Sequence, residues 1–120
     1  MKNKRGDFKD RLVKFSLDVI SFCDTFPNKR KFWIISDQLI RAATSVGANI
    51  VEAKSSSSRK DYIKFFQIAL KSANETEYWL ILCQELASDQ KNIEELQMEL
   101  KEISCIIGSS LITLKGKRNL

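Results

Sequence analysis

Gln38, Arg41, Ser45, Asn49 and Glu52 recur at intervals of three and four, which places them in one stripe if this stretch is helical. Glu75 and Glu77 lie in a second stretch of helical pattern. A guanidinium, amides, a hydroxyl and carboxylates so spaced are the parts of a charge-assisted hydrogen-bond network. The arrangement predicts that Arg41 meets Glu75 or Glu77, with Asn49 and Glu52 nearby. Glu77 falls inside the apolar arc of its helix, where an unpaired carboxylate would be costly. The stripe runs roughly a quarter-turn from the apolar one, at its boundary. Its expected task is to fix helix register, in preference to holding a ligand.

Other sources of catalytic chemistry are few. The sequence has no His, so imidazole acid–base catalysis and His metal ligation are excluded. Cys23, Cys83 and Cys105 lack the paired spacing of a zinc site, and Gly6, Gly47, Gly108 and Gly116 stand alone, without a phosphate loop. The di-iron pattern of helical bundles needs Glu-x-x-His, which cannot occur here. Glu75 with Glu77, and Glu94 with Glu95, point to different sides of a helix and form no acid–base couple. No cofactor, metal or enzymatic activity is expected. An enzyme using Glu75, Glu77 and Arg41 is a remote alternative.

The cations suggest a different chemistry. The net charge is +5, yet residues 61–114 carry four lysines against nine carboxylates. Nine of the twenty cations fall in three separated places: Lys2, Lys4 and Arg5; Lys54, Arg59 and Lys60; and Lys115, Lys117 and Arg118. These are candidate phosphate ligands.

The elements that must position these groups are helices. In 120 residues with four Gly and one Pro, turn material is scarce and the elements must be few and long. Breaks fall at "FPNKRK", where Pro27 stops a helix, at "SSSSRKD", where Ser58 and Asp61 make a partial capping box, and at "SDQKN", where Asp89 or Asn92 can cap. The spacing predicts helices over about 8–25, 31–54, 59–87 and 93–114 in one domain, with basic termini expected to be flexible.

Ile35, Leu39, Ala42, Val46, Ile50 and Ala53 make the core stripe of the second helix, and Ile93 through Leu114 approach a heptad seam in the fourth. The first helix offers Phe8, Leu12, Phe15, Val19, Ile20 and Phe22. Short connections favour an all-α, antiparallel up-down-up-down four-helix bundle. That topology brings all nine cations to one end. The cysteines are expected to pack as small hydrophobes in a reducing compartment. No apolar run reaches signal-peptide or membrane-spanning character, so a cytoplasmic protein without a membrane partner is expected.

A second apolar flank of the second helix, Ile40, Ala43, Gly47 and Val51, is slim enough for another helix to approach closely. With Phe32, Trp33 and Trp79 it predicts a homo-oligomer; the alternative is that the whole flank is internal core.

The break at Phe26–Pro27, then "SDQLIRAATSVGANIVEA" and "YIKFFQIALKSANETEYWL", resemble the small four-helix-bundle proteins encoded in bacterial 23S rRNA intervening sequences. The shared pattern falls on Gln38, Arg41, Ala42, Ser45, Asn49, Ile50 and Glu52, then on Phe65, Ala69, Ser72 and Glu75. The family commonly places Gly after the Glu that ends this second helix. Here Ala53 and Lys54 follow Glu52, so the helix is expected to end later or without a left-handed cap.

The resemblance implies a bundle that assembles into a ring, a homopentamer. Related accessory proteins of diversity-generating retroelements are basic pentameric barrels that bind nucleic acid and partner a reverse transcriptase. It carries no established activity for the intervening-sequence members, and their ribosomal-protein label follows gene location. The leading expectation is a non-enzymatic oligomer that binds RNA or DNA through its basic end. Strong sequence preference is not expected, because no stacking aromatic is evident beside the cations. The alternative is a protein-interaction adaptor with no direct nucleic-acid role.

Overall fold

A computed structural model describes residues 7–86 and 89–118, with side chains described through residue 116. Four helices follow in order: α1 (Phe8–Cys23), α2 (Arg30–Lys54), α3 (Arg59–Leu86) and α4 (Gln90–Arg118). No strand occurs among the described residues.

Local chemistry sets the boundaries. The Asp7 carboxylate accepts from the Asp10 N–H at 2.8 Å and opens α1. α1 ends two residues short of the expected 25, and the turn that follows is held by rings. Phe26 lies edge-on to Phe22 at 4.9 Å and sits 5.1 Å from Phe32, so one aromatic cluster pins the end of α1 to the start of α2. α2 closes on Ser55, a right-handed cap at φ −94°; no left-handed cap forms where Gly is missing. The Ser58 hydroxyl accepts from the Asp61 N–H at 3.1 Å at the start of α3, and Asp89 accepts from the Asn92 N–H at 3.3 Å at the start of α4. The span 93–114 expected for the last helix lies within Gln90–Arg118.

Each helix packs on the next, and α4 returns to touch α1 in the slimmest of these contacts. The result is an elongated body of 51 × 30 × 21 Å. Its long dimension follows from the helices, since the 29 residues of α4 rise about 43 Å. All six residues of the α2 core stripe are buried, from Ile35 to Ala53. Five of them, all but Ala42, share one core cluster with Leu12, Phe15, Val19 and Phe22 of α1, Phe66, Ala73 and Leu80 of α3, and Ile93, Leu100, Ile103 and Ile107 of α4. Truncating one of the fully buried aliphatics to Ala would cost about 2–5 kcal/mol.

Two expectations are corrected. Ile20, read as an apolar core position, is 36% exposed, in line with the more exposed Val13 and Leu17 on the same face of α1. It lies at the margin of the buried stripe, one residue past Val19. Cys105 is exposed, whereas Cys23 and Cys83 are buried and unpaired. Ile103 and Ile107 occupy the inward positions on either side of Cys105, which turns its thiol outward. Among the described residues, no helix is long and apolar enough to cross a membrane.

Candidate functional site

The polar stripe of α2 divides. Ser45 and Ser72 share a hydroxyl–hydroxyl hydrogen bond of 2.9 Å that joins α2 to α3. The Asn49 amide donates to the Ser45 carbonyl at 2.8 Å and to its hydroxyl at 3.0 Å. Small residues at this crossing, Ala42, Ala69 and Ala73, let the two helices approach closely enough for a Ser–Ser bond. Thr76, fully buried one turn further along α3, satisfies its own hydroxyl on the Ser72 carbonyl at 2.7 Å. The indole N–H of Trp79 is buried without an acceptor among the described residues.

The charged members stand apart. Arg41, Glu52 and Glu75 are exposed, Gln38 is half-buried, and no ion pair among the described residues joins Arg41 to Glu75 or Glu77. Exposed side chains gain little from pairing, because water solvates each charge nearly as well. Glu77 points elsewhere: it lines an open groove of about 530 Å³ between α3 and α4, with Asn74, Glu94, Gln97 and Lys101. Burial there raises its carboxyl pKa above the ordinary value.

The four α2 residues read as an interface are also distributed. Ala43 is buried within the chain and Ile40 is half-buried against the core. Gly47 lies where α1 crosses; a Cβ there would stand 3.3 Å from the Leu12 Cβ. Val51 is exposed and lines an open apolar groove of about 420 Å³ with Val13, Leu17, Gly47 and Ala48.

Lys54 is exposed at the last residue of α2, and Arg59 and Lys60 are exposed at the start of α3. Lys115 is exposed on α4, whose backbone continues through Lys117 and Arg118. Lys2, Lys4 and Arg5 lie outside the described residues, as do the side chains of Lys117 and Arg118. An open groove of about 470 Å³ gathers the first residue of α1, the last of α2, the first two turns of α3 and part of α4. Its lining includes Phe8, Lys54, Tyr62, Ser109, Ser110 and Thr113.

An aromatic pair therefore stands beside one of the candidate cations, Lys54, where none is evident from the sequence. Lys54 Nζ donates to the Tyr62 hydroxyl at 3.2 Å and lies 5.7 Å from the ring centroid. Tyr62 stacks on Phe66 at 4.9 Å with 19° between the planes. Tyr62 and Phe66 are four residues apart and so share one line of α3, but only the turn from α2 into α3 brings Lys54 to them.

Sequence reasoning also missed the clamp across the slimmest seam. Arg11 of α1 bonds Glu99 of α4 in a fork, Nε to Oε2 at 2.7 Å and Nη2 to Oε1 at 2.9 Å, and reaches Glu102 as well. Glu99 and Glu102 together raise the guanidinium pKa further above its already high ordinary value. Glu99 and Glu102 are three apart and so share a helix face, which was the one available signal. Among the described residues, no group of three or more Cys, Asp and Glu is arranged to hold a metal ion.

This fold has solved relatives. A crystal structure of a protein of unknown function from the S23 ribosomal protein family of Bacteroides thetaiotaomicron superposes with a TM-score of 0.81 at 35% sequence identity. The match covers 88% of this chain and 98% of that one. No curated protein matches significantly. The family model described as 23S rRNA-intervening sequence protein matches residues 7–109, a span that contains the Ser45–Ser72 crossing, the Arg11 clamp and most of the groove at Lys54. With that match over most of its length, the chain belongs to the 23S rRNA-intervening sequence protein family.

Proposed function

We propose that this protein is a non-enzymatic helical bundle that assembles with copies of itself into a ring and binds RNA or DNA through phosphate contacts at one basic end. The observation that carries the reading is the groove at Lys54. It unites Phe8, Lys54, Tyr62 and Leu114, and so joins the start of α1, the end of α2, the start of α3 and the far part of α4. An up-down-up-down, antiparallel course accounts for that meeting. It also brings the neighbours of all three cation clusters to the same end.

Phosphate neutralisation by several Lys and Arg releases condensed counterions, so affinity must fall steeply with salt. A gel-shift titration against structured RNA and duplex DNA, at low and physiological salt, tests the reading. Submicromolar binding that weakens steeply with salt is expected. Charge reversal by Lys54→Glu, Arg59→Glu and Lys60→Glu together should abolish it. Absence of binding by the wild-type protein at low salt would refute the reading.

The apolar groove between α1 and α2 supports self-association. Val13, Leu17 and Val51 are 43%, 57% and 41% exposed there, an arrangement more typical of an interface than of a free surface. The resemblance implies five copies, and the lack of a signal-peptide-like or membrane-spanning run in the sequence favours the cytoplasm. Sedimentation at tens of micromolar should give an oligomer that Leu17→Glu dissociates; a wild-type monomer would refute the ring. The same groove also favours the adaptor reading, in which another protein docks and the charge is incidental. Protein capture that survives the triple charge reversal, with no RNA or DNA binding by the wild type, would establish that reading instead.

A further inference from the structure

The groove at Lys54 has the lining of a site for a flat, polar, aromatic ligand. We propose that it holds one unpaired nucleobase of an RNA or DNA strand, stacked at Tyr62, so that this end takes single-stranded nucleic acid in preference to duplex. The inference rests on the reading of the basic end as a nucleic-acid surface and names the form of its ligand.

Independent features of the groove converge on this. Phe66 is buried and stacks on Tyr62, so the Tyr62 ring is held in one orientation instead of sampling rotamers. A pre-ordered ring loses little entropy when a base stacks on it. Lys54 reaches over that ring from an exposed position on a flexible stem. It can leave the ring for a phosphate when a base arrives. The phenol already accepts from Lys54, so its own hydrogen remains available to donate.

Hydroxyls complete the lining. Ser109, Ser110 and Thr113 of α4 face the same groove. Elsewhere in the bundle, Thr44 and Thr76 spend their hydroxyls on carbonyls one turn back in their own helices. The three groove hydroxyls make no such bond among the described residues, which leaves them free for the edge of a base. Phe8, Ile106 and Leu114 supply the apolar remainder. The volume, about 470 Å³, falls within the range of small-ligand sites. Arg59 and Lys60, exposed on the same helix as Tyr62, can take the flanking phosphates.

A base inside a duplex offers only its edges, because its faces are covered by its neighbours. Only an unpaired or extruded base can stack on Tyr62. A mere clamp between α2 and α3 would need the Lys54–Tyr62 bond but not the uncommitted hydroxyls across the groove.

The test compares the full chain with its Tyr62→Leu and Ser109→Phe variants and with the triple charge reversal. Probes are single-stranded RNA carrying one 2-aminopurine, the DNA strand of the same sequence, and the duplex of each. Ser109 is exposed, so the Phe side chain can fill the groove from its rim without disturbing the core; thermal melts establish that each variant is folded. The expected result is at least tenfold tighter binding of single strands than of duplex, with quenching of the 2-aminopurine. Each groove variant should lose roughly tenfold for single strands, the scale of one base–aromatic stack, and change little for duplex.

Equal affinity for single strands and duplex would overturn the inference. So would single-strand binding untouched by Ser109→Phe, which decides the matter if Tyr62→Leu fails to fold. In either case, loss of binding in the triple reversal would leave the basic-end reading intact. Failure of the wild type to bind any probe at low salt would refute both. RNA and DNA strands bound alike would assign recognition to the base, whereas RNA alone would add the ribose hydroxyl to it.

Discussion

Replacing Arg11 by Met removes the charged head of the α1–α4 clamp and keeps most of its apolar stem. Two parallel hydrogen bonds to Glu99, at 2.7 and 2.9 Å, give the pair the fork geometry that makes guanidinium–carboxylate contacts strong. The side chains are 35% and 32% exposed, so water screens a substantial part of that attraction. The third bond, to Glu102, adds little, because that carboxylate is 64% exposed. These considerations put the Arg11–Glu99 coupling at about 1 kcal/mol, against about 0.3 kcal/mol for an average surface pair.

Arg11→Met, Glu99→Gln and the double variant form the cycle that isolates this coupling. Urea unfolding should give losses for the two single changes whose sum exceeds that of the double change by about 1 kcal/mol. Each single change should lower Tm by about 4 °C in a domain of this size. Screening shortens the Debye length from about 10 Å at 0.1 M salt to about 3 Å at 1 M, so the coupling should shrink in concentrated salt. Additivity to within about 0.3 kcal/mol at low salt would refute the claim that this bond closes the seam.

Three further outcomes follow from single groups. Partial burial raises the folded pKa of the Glu77 carboxyl above its ordinary value, so the folded state binds that proton more tightly than the unfolded chain does. Glu77→Gln should therefore raise Tm at pH 7, and the gain should fade as pH falls through the carboxylate range; a constant gain at all pH values would sink the assignment. Ser72→Ala strips Ser45 of its partner across α2 and α3 and should cost about 1 kcal/mol in urea unfolding, whereas no loss would show that water replaces the bond freely. Burial pushes the Cys23 and Cys83 thiols up to about 11 and about 12, so iodoacetamide at pH 8 should label Cys105 quickly and the other two only on unfolding; mass spectrometry of the labelled protein reads this directly.

How legible each feature was in the sequence depends on how many helices it involves. The buried stripe of α2 was visible residue by residue, because a 3.6-residue period is a property of one helix and its apolar members had no other use. The Ser58 cap was visible because capping is local. Contacts between helices were legible only in kind. Ser45 and Asn49 read correctly as polar residues at a helix boundary, but their partner is Ser72, a small residue that only the close crossing of α2 and α3 brings within reach.

Arg41 seemed to call for a carboxylate, yet an exposed guanidinium is satisfied by water, and Glu77 belongs to the side of α3 that faces α4. Arg11 gives no signal of its own in the sequence, because a lone Arg on an amphipathic helix is usually a solvated one. Its two partners lie 88 and 91 residues away in the chain. The rings at Lys54 were missed for a related reason: a four-residue spacing puts Tyr62 and Phe66 on one line of a helix but says nothing of what crosses its end. Tyr62 is only partly buried, and its outer portion meets the end of another helix.

The clamp and the groove are not independent. Arg11 lies three residues along α1 from Phe8, and Glu102 lies four residues before Ile106 on α4; Phe8 and Ile106 both line the groove at Lys54. The contact that holds the slim α1–α4 seam thus sits one helical turn from the base site, on the same two helices. Loosening it would let Phe8 move away from Ile106 and widen the groove without altering any residue that touches a ligand. The buried core that stabilises the bundle draws on all four helices, so the fold can survive that loosening. A variant at Arg11 that remains folded but binds single strands more weakly would therefore report on groove shape, and its salt slope should equal that of the wild type because no phosphate contact has been removed.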